Sequence, residues 1–530
     1  MKNTKLLNLL LIIVLLKGIV WSLLIPLWHF PDEQAHFGHI ALNVENPNLI
    51  NSGLGLDLNQ EIATSEELLQ TFRNIQGNNS FTYHPEFNLE YSNSQQGINE
   101  QQIKNLPLET RFNLVGKESA YYPETYYNLS GLVYKLLYQQ NIFVRVFSIR
   151  IFWLFLSVIV TWSAYQLAFL IKPKNQLFAL TIATLTAFHP MLTFVGSGVT
   201  SDNLFNALYS LLILICAQLI LKFSLKKLFA VVILTAIGIN TKPQFLTSLA
   251  ISIPSIIISI LTIKKKIKPK LFLLILFISV VIFYIFGGYK LITLFKKSWL
   301  QGMLIPYFSP QEKILLPDYT LFDHSKWTIN HTFREVVPWY WGVFRWLSLT
   351  LPRWVNRVFN RLMIISAIGL IAYSFSFLKS KKHSQELKIF LFTIYTAIIY
   401  FLILLIWDWS FFRSHNFSFG IQGRYYFPTI ISHMSLLTLG IYQLGKLFKK
   451  LQKPLLFLLS TLFIVINFIA FYHLISSYYD TSNLTAFINQ ASQYKPWFAK
   501  GYWLISALIL NIGVSILYIY QLFIYVKNKK

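Results

Sequence analysis

The chain has 530 residues, of which 55% are hydrophobic and only 13% charged, with a mean hydropathy of +0.50. Soluble domains carry about 25% charged residues, so an ordinary soluble enzyme, a disordered chain and a fibrous protein are excluded and a polytopic membrane protein remains. The net charge of +25 would suggest nucleic acid in a soluble protein, so what it means depends on where it sits.

Apolar runs of about 20 residues predict an all-α membrane protein of about twelve spans, near 6–28, 146–171, 176–196, 203–221, 228–241, 243–263, 271–293, 361–378, 389–407, 425–445, 454–474 and 502–526. The strands of a membrane barrel would be shorter and would alternate. The run 228–241 is short and ends in Asn240-Thr241-Lys242-Pro243, which suits a broken or tilted helix. The N-terminal run ends without a small-x-small cleavage site and reads as a retained span rather than a signal peptide. The single Cys216 rules out an intrachain disulfide scaffold.

Segments 1–5, 172–174, 222–227, 264–270, 379–388, 446–453 and 527–530 follow every second span and hold 23 lysines against one acid, Glu386. The positive-inside rule places them, and both termini, in the cytoplasm. The opposite side differs. Residues 30–125 hold 13 of the 21 acids, and segment 295–360 is rich in aromatic residues. The charge is therefore mainly an orientation signal. Anionic lipid headgroups are the expected partner and nucleic acid is not, because the bases lie in short turns rather than on one folded face.

The expected outer loops hold the residues suited to chemistry. Pro31-Asp32-Glu33-Gln34-Ala35-His36-Phe37-Gly38-His39 reads as a helix start. Asp32, His36 and His39 share one face. Phe37, Ile40, Ala41 and Val44 form an apolar face suited to the bilayer surface. The plain reading is an acidic first turn that complements the helix dipole; the functional reading is a general base with His36 as a neighbour or metal ligand. Asp202, in Gly196-Ser197-Gly198-Val199-Thr200-Ser201-Asp202-Asn203, is either a helix cap or part of a site. Lys242 and Arg424 lie at the same outer level, where they either snorkel to the interface or recognise a lipid phosphate, for which an arginine fork is well shaped. Lys17, near the middle of the first span, needs a partner that the sequence does not name. Residues 118–138 read as an amphipathic helix lying along the outer surface, since a crossing there would reverse every later loop. Its tyrosines form an interfacial belt or line a groove.

Pro31-Asp32-Glu33-x-x-His36-Phe37 after a first span resembles the signature of a bacterial membrane family, domain of unknown function 2142. Ser197 to Asn206, Lys242-Pro243, Trp341-Gly342-Val343-Phe344-Arg345-Trp346 with Pro352, and Gln422-Gly423-Arg424-Tyr425 follow in the expected order across roughly residues 10–445. Arg345 departs from the pattern, standing where a small residue is expected. The family in turn resembles the GT-C membrane glycosyltransferases. That resemblance implies a GT-C-like catalytic module over 1–445, with a first outer loop at 30–142, a second at 295–360, and a two-helix extension at 446–530. It also implies a bacterial cytoplasmic membrane location, a polyprenyl-phosphate-linked sugar donor and a glycan, lipid or protein acceptor. Asp32 would be the catalytic base and Asp202 the second acid, with Glu33 beside them. His36, Lys242, Arg424, Tyr425 and Trp341 are candidate substrate contacts.

The chemistry fits independently. A phosphate leaves without a proton, so one carboxylate base for the acceptor hydroxyl suffices, whereas glycoside hydrolysis needs an acid as well. The charge building on the phosphate must then be offset, either by Lys242 and Arg424 or by a divalent metal on Asp32, His36 and Asp202. The alternatives are a transporter or flippase of a lipid-linked saccharide, which would place charges toward the midplane of its spans, and a non-catalytic membrane protein that keeps the fold.

Overall fold

The computed structural model describes residues 4–49, 56–69, 71, 94–118, 123–264, 274, 277–278, 319–378, 385–448 and 451–528. The expected span 271–293 lies almost wholly outside them, as do the turn 265–270, Tyr121 and Tyr122 of the amphipathic segment, and Trp299.

The described chain is mainly helical. The first part contains α1 (Thr4–Leu24), α2 (Glu33–Glu45), α3 (Gln60–Leu69), α4 (Ser94–Lys104), α5 (Thr125–Leu136), α6 (Ile142–Phe152) and α7 (Phe155–Ile171). The middle contains α8 (Gln176–Ala187), α9 (Pro190–Gly196), α10 (Asp202–Leu221), α11 (Leu225–Ile239) and α12 (Leu249–Lys264). Then follow α13 (Leu321–His331), α14 (Val337–Trp341), α15 (Arg353–Leu378), α16 (Gln385–His415), α17 (Ile430–Leu447), α18 (Gln452–Ile475), α19 (Leu484–Ala491) and α20 (Tyr502–Asn528). Two small antiparallel ladders pair β1 (Leu58–Asn59) with β2 (Leu114–Gly116), and β3 (Val343–Phe344) with β4 (Leu349–Thr350).

Among the described residues, eight helical stretches are long and apolar enough to cross a membrane: Lys5–Leu24, Ile142–Ile171, Asp202–Leu221, Pro243–Thr262, Arg353–Ser376, Gln385–Arg413, Gln452–Ile475 and Tyr502–Asn528. The pair α8 and α9, bent by 59°, makes a ninth if counted as one. Two expected spans fall short of this standard. Run 228–241 forms the 15-residue α11, about 22 Å long, and 425–445 divides into a 3-10 turn, Gly423–Thr429, and α17.

Several of the lysine-bearing turns gather at one end of the bundle. Lys172 pairs with Glu386 at 2.7 Å, Asn175 meets Tyr442, and Tyr525 donates to Gln176. Lys17 finds its partners at the bend between α8 and α9. Its ammonium donates to Ala187 O and to Thr193 Oγ1 (2.7 Å) and lies over the Phe188 ring. A bend frees carbonyls that a straight helix would satisfy internally, and Lys17 answers that need inside an apolar span.

The C-terminal helices belong to the bundle. Ser460 of α18 and Tyr518 of α20 bond to Thr181 and Thr184 of α8, and α20 packs along α1.

Candidate active site

The segment after α1 is fixed from beneath by a buried arginine. All five N–H groups of Arg150, on α6, have acceptors: the Glu33 carboxylate through Nε (2.7 Å) and Nη2, Ser22 O (2.9 Å) and Ile25 O (3.0 Å) through Nη1, and Pro26 O (3.0 Å) through Nη2. Glu33 also accepts from the amides of Trp28 and Val199, each at 3.1 Å. Both of its oxygens are thus occupied and neither side chain of the pair is exposed, so Glu33 joins the first loop to the 197–202 loop rather than facing a substrate.

The second loop docks on this base. Ser22 donates to Ser197 O at 2.8 Å, and Asn203 donates to Gly198 O at 2.9 Å. A Cβ on Gly198 would fall 2.5 Å from the Phe30 ring, which explains glycine at that place in the motif. His36 closes the junction, with Nδ1 2.8 Å from Tyr127 Oη and Nε2 3.2 Å from Thr200 Oγ1.

Above this base the charges converge. Asp32 occupies the N-cap of α2 in the left-handed region (φ 55°) and makes no side-chain cap bond. Its carboxylate turns away to meet Arg424 Nη2 at 2.8 Å. A left-handed non-glycine residue stores strain that tends to mark functional sites. Asp202 starts α10 and pairs with Lys242. Its side chain is 16% exposed, those of Lys242 and Arg424 12% and 8%, and that of Asp32 33%, making Asp32 the most accessible of the four.

The four lie close enough to act on one another and on His36. Burial above all, and then Lys242, pushes the His36 pKa down to about 3, against the opposing pull of Asp32 and Asp202. His36 is therefore neutral. Burial alone would lower the Arg424 pKa, but the charges of Asp32, Tyr425 and Asp202 raise it above its ordinary value, so it stays a cation. Its Nε is buried and has no hydrogen-bond partner among the described residues.

Arg424 is placed by its glycine. A Cβ on Gly423 would lie 2.1 Å from Tyr340 N, so the turn rests directly on α14. Beside it, α14, α15, α17 and Tyr426 line an open, largely apolar cavity of about 320 Å³, whose wall includes Val336, Tyr340, Leu370, Phe401 and Leu437.

Several expectations need correction. Asp32, His36 and Asp202 do not form a metal-ligand set. Both His36 nitrogens are engaged and each carboxylate faces a cation, and no group of three His, Cys, Asp or Glu suited to a metal occurs among the described residues. Trp341 lies away from the charged cluster, buried and stacked on Phe359 (3.9 Å) and on His189 (5.0 Å), in the wall of the apolar cavity. Tyr425 packs near Trp407 and Phe419, half-buried beside Arg424. Helix α2 does not lie on the bilayer surface, since every residue from Glu33 to Leu42 is buried. Helix α5 instead has an apolar outer side. Leu129, Leu132 and Leu136 are exposed, while Tyr127 and Tyr134 turn inward to His36 and Glu45. Arg345, Trp346 and Leu347 are all left-handed (φ 48°, 54° and 72°), which accounts for the expectation of a small residue at 345.

Sequence reasoning missed Arg150, Arg145 and Thr200. The two arginines carried a readable signal, as charges inside an apolar run need buried partners. Arg145 finds Glu61 as Arg150 finds Glu33.

Residues 15–432 match the family described as "Predicted membrane protein (DUF2142)". No curated protein matches the chain. Among solved structures, the Archaeoglobus fulgidus oligosaccharyltransferase in its apo form is similar at 13% identity and a TM-score of 0.34. That similarity covers 93% of this chain and 57% of the other, so this chain spans less than two thirds of the archaeal protein's length.

Proposed function

The chain belongs to the DUF2142 family of predicted membrane proteins, and from its converging charges we propose that it is an integral-membrane glycosyltransferase that moves a sugar from a polyprenyl-phosphate donor to an acceptor on the extracytoplasmic face. The observation that carries this reading is that Asp32, Asp202, Lys242 and Arg424, drawn from four segments up to 392 positions apart, meet as two carboxylate–cation pairs around a neutral His36.

Asp32 is the base. Arg424 pairs with its carboxylate at 2.8 Å, and its exposure lets an acceptor hydroxyl reach it. As the acceptor oxygen bonds to the anomeric carbon, its proton passes to Asp32. The bond from that carbon to the phosphate oxygen breaks, and the phosphate leaves with the electron pair. Arg424 and Lys242 offset the charge that develops on the phosphate. Asp202 holds Lys242 in position. The apolar cavity beside the Arg424 turn suits the first isoprene units of the donor. The same cations hold the carboxylates at rest, so an arriving phosphate would draw Arg424 and Lys242 toward itself and free Asp32 to accept a proton.

The transporter alternative loses its main support. Lys17 is bonded at a helix bend, and Arg145, Arg150 and Asp408 are each paired within the fold.

Asp32→Asn tests the reading. With a defined polyprenyl-phosphate sugar it should lower turnover by about 100-fold or more, with expression and melting temperature unchanged. Arg424→Ala should raise the KM for the donor. Full activity in Asp32→Asn would remove the base assignment.

A further inference from the structure

Helix α15 carries three arginines at steps of four, Arg353, Arg357 and Arg361, and all three are exposed. Each step advances about 40° around a helix and about 6 Å along it, so they form a single ladder roughly 12 Å tall. None has a hydrogen-bond or acidic partner among the described residues, and α15 itself contains no acid. Directly below, on the same face, Ile364, Ile368, Ile371 and Phe375 are exposed, a stripe about 16 Å long. That is close to half of a bilayer's hydrocarbon thickness of about 30 Å. The other side of α15 is committed to the bundle. Val355 and Phe359 are buried, and Gly369 lies against Gly440 of α17. The cavity lining from Met363, Ser366, Ala367 and Leu370 is roughly 130° round the helix from the ladder.

The ladder is thus not part of the Arg424 site. It also stands at the wrong end for an orientation signal, because Lys379, Lys381 and Lys382 follow the other end of the span and the positive-inside rule places that end in the cytoplasm. Guanidinium forks above an aliphatic stripe are the complement of one amphiphile, with its phosphate at the top and its acyl chains below. We propose that Arg353, Arg357 and Arg361, with Ile364 and Ile368 beneath them, form a binding site for an anionic phospholipid of the outer leaflet.

The test is native mass spectrometry of the delipidated full-length protein, titrated with phosphatidylglycerol or phosphatidylcholine. The wild type should retain phosphatidylglycerol in preference. The variant carrying Arg353→Gln, Arg357→Gln and Arg361→Gln should lose that preference by at least about tenfold, and Arg357→Gln alone should reduce it part of the way. Ile364→Ser with Ile368→Ser should weaken retention with the arginines intact. Equal retention of the two lipids by the wild type, or undiminished preference in the arginine variants, overturns the proposal. So does complete displacement by excess inorganic phosphate, which would mark a site for the free anion. Binding is read without any transfer assay, so the outcome is independent of Asp32.

Discussion

Asp32 and Glu33 are adjacent carboxylates that end up with opposite tasks. Glu33 is the first residue of α2 and Asp32 its left-handed N-cap (φ 55°), and the two side chains diverge, Glu33 down onto Arg150 and Asp32 above beside Arg424. The sequence offered both as an acidic first turn and could not separate them, because the partner that divides them lies more than a hundred positions away. A buried ion pair that loses one member leaves an uncompensated charge. Glu33→Gln should therefore destabilise the protein by about 3–5 kcal/mol, read as a large fall in melting temperature and membrane abundance. Asp32→Asn should lower neither. Glu33→Gln combined with Arg150→Met should recover much of the loss, and a stable but inactive Glu33→Gln would instead put Glu33 in the chemistry. His36 adds a pH dependence. Burial holds its folded pKa near 3 against an ordinary value of 6.5, so only the unfolded chain takes up the proton in that window. Its contribution is present above about pH 6.5 and is lost as pH falls toward 3. The melting temperature should drop between about pH 7.5 and pH 4.5, and His36→Gln should shrink the drop; an equal drop in the variant would point to other groups.

At the scale of elements, the long helices were legible because apolar runs must be helical in a bilayer. The segments that carry the site were legible as motifs but not as shapes. Asp202 reads as either a helix cap or part of a site, yet the N-cap is Ser201, which makes no side-chain cap bond, and the loop before it is held by Glu33 and His36. Residues 118–138 read as one amphipathic helix; within the described residues the helix is Thr125–Leu136, and which of its sides faces the protein was hidden. A tyrosine suits a membrane interface as well as a buried hydrogen bond, and Glu45 and His36 decide the matter. Gly423 is the plainest case of a motif residue explained only by packing. Alanine there would drive a methyl group into the Tyr340 backbone, displacing Arg424 at a cost of about 1–3 kcal/mol. Gly423→Ala should combine a lowered melting temperature with a raised donor KM, while Gly420→Ala, next to open space at φ 75°, should be strained without disturbing the KM. Wild-type kinetics in Gly423→Ala would mean that the turn carries no substrate contact.

At the scale of the molecule, scarce negative charge led to the site, but several of the acids gathered in the first loop serve the fold. Among the described ones Glu33, Glu61 and Glu100 are tied to buried or bridging cations, and Asp32 is the one left facing Arg424. The final helices extend this logic. The sequence suggests an appended pair over 446–530, and the family match stops at 432, yet the C-terminal segment grips the turn that presents Asp32. Tyr479 Oη donates to Leu24 O at 2.6 Å, Lys495 Nζ donates to Ile25 O at 2.9 Å, and Ile25 O is also an acceptor for Arg150. Arg345 reaches Ser477 O from the β3–β4 turn, while Tyr494 N and Lys500 hold Glu100 of α4. Carbonyls at the end of α1 have no partners of their own helix, so the chain supplies them from 455 and 470 positions away. Ending the chain after residue 448 should therefore expose the α1 face covered by α20 and loosen the Asp32 turn together. The expected result is low membrane abundance and loss of a cooperative melt, read by fluorescence-detected chromatography of the truncated protein. Lys495→Met, which keeps both helices, should give a milder fall in melting temperature and a slower turnover. A truncated chain that melts like the full one would show that the C-terminal helices are an appendage and that the turn is held by Arg150 alone.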